Sequence, residues 1–274
     1  MIRFFHLDGR ASSLPPISAP DVFTLAYLSK PNLLVSGHRY GRLALWDITT
    51  GRVVSDRSEY KSRLIRLWPS PDQSSLLVLD NVSAYIWDIP AFEEREEVIT
   101  KCETVAGLFL SDSTVILADL CKEISLYSLA AKTKPSVITT LNRGMPYYFT
   151  YSDKRNELYI FTGFNVIRYS MKERKILRFF PDSTDNMGGK SYGHYATIGL
   201  LSTQQDLLIA ADFESNYILI LDALTGAIHR KLTIPEDGIH QIALSTDDKI
   251  LFTRKGFVRA WDWQTGKELF HLLG

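Results

Sequence analysis

Two ladders of recurring residues, each stepping by about forty positions, predict an all-β chain. The architecture they point to is a β-propeller of six complete four-stranded blades behind an N-terminal part-blade, six or seven blades in all. The first ladder ends alternating apolar runs: Trp46-Asp47 and Trp87-Asp88, then Tyr127, Tyr169, Leu221-Asp222 and Trp261-Asp262, at steps of 41, 40, 42, 52 and 40. The second is a serine just past an apolar run, at Ser29, Ser70, Ser111, Ser152, Ser202 and Ser245. Each serine precedes its anchor by 17, 17, 16, 17, 19 and 16 residues, so the two ladders stay in phase along the whole chain. Residues 1–274 are therefore expected to be one domain of tandem repeats.

The first unit justifies the strands in order. Phe23 to Leu28 alternates, Asn32 to Ser36 follows a Lys-Pro-Asn turn, Arg42 to Ile48 carries the anchor, and Arg52 to Val54 follows Thr49-Thr50-Gly51. Turn formers (Pro71-Asp72, Asp112, Asp153, Asp247-Asp248, Gly226, Gly266) separate the runs where tight reversals need them. No stretch sustains a 3.6-residue apolar period, so helix is expected to be nearly absent. One such sheet cannot bury both faces alone, and stability is expected from stacking its neighbours, with the anchor aromatics in the gaps.

The Trp-Asp pairs, the Thr-Gly-Arg or Thr-Gly-Lys after them, and the Ser70-Pro71-Asp72 turn resemble the WD-repeat family. The resemblance covers nearly the whole chain, strongly in the units ending at Trp46, Trp87 and Trp261 and weakly between. It implies a ring of four-stranded blades used as a platform for other proteins. Members often carry a His–Ser–Asp–Trp hydrogen-bond network with the Asp six residues before the Trp. Those positions here hold Tyr40, Asn81, Cys121, Gly163, Ser215 and Lys255, so the blades are expected to be held chiefly by apolar packing.

Twenty-four residues before Ser29 lies Phe5, where an anchor would stand, so the N-terminus reads as a third strand lacking its first two. Three outcomes are open: closure of the ring against the last blade, a thin seventh blade, or strands supplied by a strand-donating partner.

The interval from Tyr169 to Ser202 is 33 residues against the usual 24, and the surplus falls in 182–195. With Asp185, Lys190, Tyr192, His194 and Tyr195, this Gly-rich insertion suits a partner-binding loop, since aromatic side chains bring contact area at low entropy cost. Arg39 and Tyr40 in the turn His38–Arg42, with Arg63 and Lys255, complete the candidate partner-binding residues. Residues 30–66 carry a net charge of +5 and residues 72–123 one of −8, an asymmetry that can steer a partner or pair adjacent blades. Glu93-Glu94-Arg95-Glu96-Glu97 reads as a charged outer edge that discourages aggregation.

Balanced charge, 31 basic against 31 acidic residues, argues against direct contact with nucleic acid. No apolar run spans a bilayer or makes a signal-peptide core. Two cysteines, Cys102 and Cys121, are too few for a disulfide framework and suggest an intracellular compartment, cytoplasm or nucleus. The six histidines have no metal-ligand spacing and no Gly-x-Ser-x-Gly elbow exists, so no catalytic residue, metal or cofactor is expected. The expected function is a non-catalytic protein-interaction scaffold, a subunit docking other proteins in an intracellular multiprotein complex. The alternative is a propeller enzyme with a central-channel site, a metal- or quinone-dependent hydrolase or oxidoreductase. A phosphoinositide-binding role lacks its Phe-Arg-Arg-Gly motif.

Overall fold

The structure is a computed structural model and describes residues 1–272 apart from 30, 31, 59, 61, 65, 81, 181–196, 203, 205, 236 and 237. It holds six four-stranded antiparallel sheets in simple meander order, the blades of a six-bladed β-propeller. Blade 1 is β1 (Val22–Leu28), β2 (Leu33–His38), β3 (Arg42–Asp47) and β4 (Arg52–Ser58). Blade 2 is β5 (Arg66–Pro69), β6 (Ser75–Leu79), β7 (Ala84–Asp88) and β8 (Glu93–Val98). Blade 3 is β9 (Thr104–Ser111), β10 (Thr114–Asp119), β11 (Glu123–Ser128) and β12 (Ser136–Thr140). Blade 4 is β13 (Tyr148–Ser152), β14 (Glu157–Phe161), β15 (Val166–Ser170) and β16 (Lys175–Phe180). Blade 5 is β17 (Ile198–Ser202), β18 (Leu207–Ala211), β19 (Tyr217–Asp222) and β20 (Ile228–Thr233). Blade 6 is β21 (Gln241–Leu244), β22 (Ile250–Arg254), β23 (Val258–Asp262) and β24 (Lys267–Leu272). The chain divides into two compact units, Met1–Thr140 and Leu141–Gly274, with three blades in each. Among the described residues there is no α-helix, and no helix long and apolar enough to cross a membrane.

The anchors behave alike because the blades repeat. Trp87 packs on Leu28, Leu43 and Leu45 of blade 1. Tyr127 packs on Leu79, Ala84 and Ile86 of blade 2. Leu221 lies against Tyr159 and Phe161 of blade 4, and Trp261 against Ile209 and Ile220 of blade 5. Each side chain thus fills the gap toward the preceding blade. In five blades the pairing of third and fourth strands slips at the anchor, between Leu45/Trp46, Ile86/Trp87, Arg168/Tyr169, Ile220/Leu221 and Ala260/Trp261. Such a bulge sharpens the twist of the outer strand.

Blade 1 has no preceding blade in its own unit, and there the N-terminal segment serves. It closes on itself through two isolated bridges, Ile2 with Ile17 and Phe5 with Ala11. Ile2, Ile17 and Ala19 cover Trp46, Leu34, Ala44 and Ile48. The part-blade is therefore an arch folded onto blade 1, and the blade count is six, not seven. Each sheet, including the last, holds four strands of its own.

Hydrogen bonds of the anchor side chains supplement the apolar packing expected of the blades. Trp46 Nε1 donates to Ser36 Oγ (2.7 Å), Ser36 Oγ lies 2.8 Å from His38 Nε2, and His38 Nδ1 reaches the Pro20 carbonyl (2.7 Å). Trp87 Nε1 donates to Tyr60 Oη, which donates to Glu94, and Trp261 Nε1 donates to Thr253 Oγ1. Carboxylates also stand at the ends of second strands, as Asp80, Asp119 and Asp212, seven to nine residues before their anchors. Asp80 Oδ1 accepts from the Val82 and Ser83 amides, Asp119 Oδ1 from Glu123, and Asp212 Oδ1 from Glu214. The position six before the anchor misses them because the turn length varies from blade to blade.

The Asp of each Trp-Asp pair has a local task. Asp47 Oδ1 accepts from Thr49 and Thr50 to shape the turn into β4, and the Thr49 hydroxyl holds its carboxyl below the ordinary range. Asp222 and Asp262 accept in the same way from Thr225 and from Gln264 and Thr265. Cys102 and Cys121 form one disulfide, which ties the connection before β9 to the turn after β10.

Candidate functional site

In blades 1, 2 and 5 the edge that holds the turn from second to third strand also holds the connection leading to the next blade, and the two are hydrogen-bonded together. In unit 1, Leu64 N donates to the His38 carbonyl, Tyr60 N to Gly41 and Thr104 N to Val82. In unit 2, Gly238 N donates to Ser215 and Ile239 N to Asp212. The edge is thus a braced surface and not a row of free loops.

In blade 1 this bracing gathers Arg39, Tyr40 and Arg63 at one corner. Gly41 permits it: its φ is +75°, and a Cβ there would stand 1.9 Å from the Tyr60 carbonyl oxygen. Arg39 is exposed, its amide bonded to the Asp21 carbonyl, and Tyr40 is 70% exposed. Arg63 lays its guanidinium over the Phe23 ring at 4.3 Å, with Nε buried and unpartnered. Arg42, the other cation of the turn, is taken by Asp56 (2.7 Å). Beneath them His38 is buried, and burial lowers its imidazole pKa.

Lys255 stands exposed in the turn after β22, in unit 2, and its Nζ lies 3.6 Å from where a Gly238 Cβ would be. Asp185, Lys190, Tyr192, His194 and Tyr195 lie outside the described residues.

The edge carries a feature that the sequence reading missed apart from Tyr40. Every turn from second to third strand presents one large apolar side chain to solvent: Tyr40, Val82, Leu120, Phe164, Phe213 and Phe257. Their exposures run from 40% at Phe213 to 70% at Tyr40. The signal lay in the sequence as a large apolar residue four to eight places before each anchor, where a solvated turn calls for a polar one. Isolated apolar side chains at a surface are ordinary, whereas one at the same corner of every repeat is a pattern.

None of the models of known protein families matches the chain, and no curated protein matches it. The architecture stands on its own geometry.

Proposed function

We propose that the chain is a non-catalytic protein-interaction scaffold of the WD-repeat type, docking partner chains of an intracellular multiprotein complex on the second-to-third-strand turns that bear Tyr40, Val82 and Leu120 in unit 1 and Phe164, Phe213 and Phe257 in unit 2. The observation that carries this reading is the repetition of an exposed apolar side chain at the equivalent turn of all six blades. Where the turn is braced, as in blades 1, 2 and 5, such a residue offers contact area that costs little ordering entropy on binding. Arg39 and Arg63 add charge beside the turn of Tyr40 in unit 1, and Lys255 beside Phe257 in unit 2, a polar rim that confers orientation.

The test compares partner capture by the wild-type chain with that by Tyr40→Ser/Leu120→Ser/Phe257→Ser, using affinity purification from the native cell. Loss of one hot-spot side chain costs about 2 kcal/mol, roughly thirtyfold in Kd, so the triple variant should lose its partners. All three side chains are exposed, so the thermal midpoint should stay within about 2 °C. Retention of the same partners by the triple variant would refute the reading.

A further inference from the structure

The junction between blades 2 and 3 is incompletely filled, and the repeat explains why. Where blades 1 and 2 meet, Trp87 is sandwiched by Phe92 (5.3 Å) and Tyr60 (6.3 Å). Phe92 sits four residues past Asp88 with φ 51°, and the equivalent of Trp87 in blade 3 is Tyr127. The equivalent of Phe92 is Lys132, with φ 49° and exposed. Two aromatic fillers have thus become a smaller ring and a solvated amine. What remains is a cavity of about 580 Å³ lined by Glu96, Glu97 and Val98 of β8, by Ile99, by Tyr127 and by Val137 of β12. That volume falls within the range of ligand sites.

Its chemistry is specific. Tyr127 Oη donates to Glu96 Oε2 (2.5 Å), and burial together with that carboxylate pushes the phenol up to about 12, so it remains a donor. Glu96 Oε1 is buried and has no hydrogen-bond partner among the described residues. An orphaned carboxylate oxygen out of water is costly, and a donor from a ligand would relieve that cost. On the β8 side Lys101 is paired with Glu123 (2.6 Å) and Arg95 with Asp88 (3.2 Å), while Lys132 and Lys134 line the opposite side. Ile99 at one rim is 74% exposed and Val137 at the other 49%. The strands β8 and β12 that flank the groove are each the edge strand of their sheet.

We propose that this groove binds an extended segment of a partner protein, one that brings a Lys or Arg to the Glu96 carboxylate, whose side chain turns to meet it, between aliphatic side chains resting on Ile99 and Val137. Four glutamates on β8 oppose a nucleic acid. A small cation would leave both apolar rims uncovered. Lys132 and Lys134 on the facing turn select against a polybasic segment and favour a single basic residue on the β8 side. The inference rests on the chain being a protein binder, and it places a second site away from the six exposed turn residues.

A random dodecapeptide display library panned on the whole chain tests it. Wild type should enrich peptides with one Lys or Arg flanked by Val, Ile or Leu. A synthetic consensus peptide should bind Glu96→Gln roughly ten- to a hundredfold more weakly, the loss expected of one charge-assisted hydrogen bond. Ile99→Ser should weaken it less. The glutamine keeps an acceptor for Tyr127, and both variants should melt with the wild type. Absence of that enrichment, or consensus peptides that bind Glu96→Gln as tightly as wild type, overturns the groove. The turn variant Tyr40→Ser/Phe257→Ser separates the two readings, since peptides lost there and kept by Glu96→Gln refute the groove while leaving the scaffold edge standing.

Discussion

Replacing Trp87 with alanine tests the repeat logic at its most demanding point. The side chain is fully buried, contacts leucines of blade 1, stacks beside Phe92 and donates its indole N–H to Tyr60. Burying a ring of about 200 Å² at about 25 cal/mol per Å² is worth roughly 5 kcal/mol, of which alanine keeps a small part. Collapse cannot recover much, because Phe92 is held in a left-handed turn and Tyr60 is tied by its amide to Gly41. The expected loss is therefore about 4 kcal/mol, within the range for deleting a buried tryptophan. At roughly 2–4 °C per kcal/mol for a chain of this size, the melting midpoint should fall by about 8–16 °C. Trp87→Phe retains a ring and should lose less than half as much. Urea titration followed by far-UV circular dichroism measures both, and does not depend on the fluorescence of the residue removed. A loss below about 1 kcal/mol in Trp87→Ala would show that the anchor is not what joins the blades, and the explanation of the fold would fall with it.

Two further outcomes follow from the same geometry. His38 is buried as a neutral ring between the Ser36 hydroxyl and the Pro20 carbonyl, and burial holds its pKa below the ordinary 6.5. The unfolded chain binds that proton first as pH falls, so the stabilisation is complete above 6.5 and is lost between 6.5 and the lower folded value. Unfolding free energy should drop from pH 7.5 to 5.5 and the drop should shrink in His38→Gln; an unchanged slope refutes the assignment. The Cys102–Cys121 bond closes a loop with a sequence separation of 19, which by loop entropy is worth about 3 kcal/mol. Cys102→Ser or a reductant should lower stability by that order. Thiol titration of protein taken from its native compartment reads whether the pair is oxidised there, which bears directly on the expectation of a reducing environment.

Much of the fold was legible because its physics is local and repeated. The forty-residue step, the alternating runs ending at Trp46, Trp87 and Trp261, and the Thr-Gly turns after Trp46 and Trp261 state strand, reversal and blade without reference to anything distant. The acidic run 93–97 read correctly as an outer edge, and it is β8. The candidate site was legible only in part. Tyr40, Arg39 and Arg63 meet at one corner, but Arg63 is occupied with Phe23, a pairing that joins residues forty apart in sequence.

What the amino-acid order alone determined is the unit and its period, with six or seven blades left open, since period and turn chemistry lie within each repeat. Only the tertiary structure decided which side chains meet: the arch of residues 1–19 on Trp46, the relay within blade 1 from Trp46 through Ser36 to His38, and the gap left between blades 2 and 3 where Lys132 stands in the place of Phe92. The reason is physical. Hydrophobic periodicity records which face of a strand is buried, whereas the partner filling that face comes from another repeat, and its fit is set by volume and hydrogen-bond geometry that no spacing along the chain records.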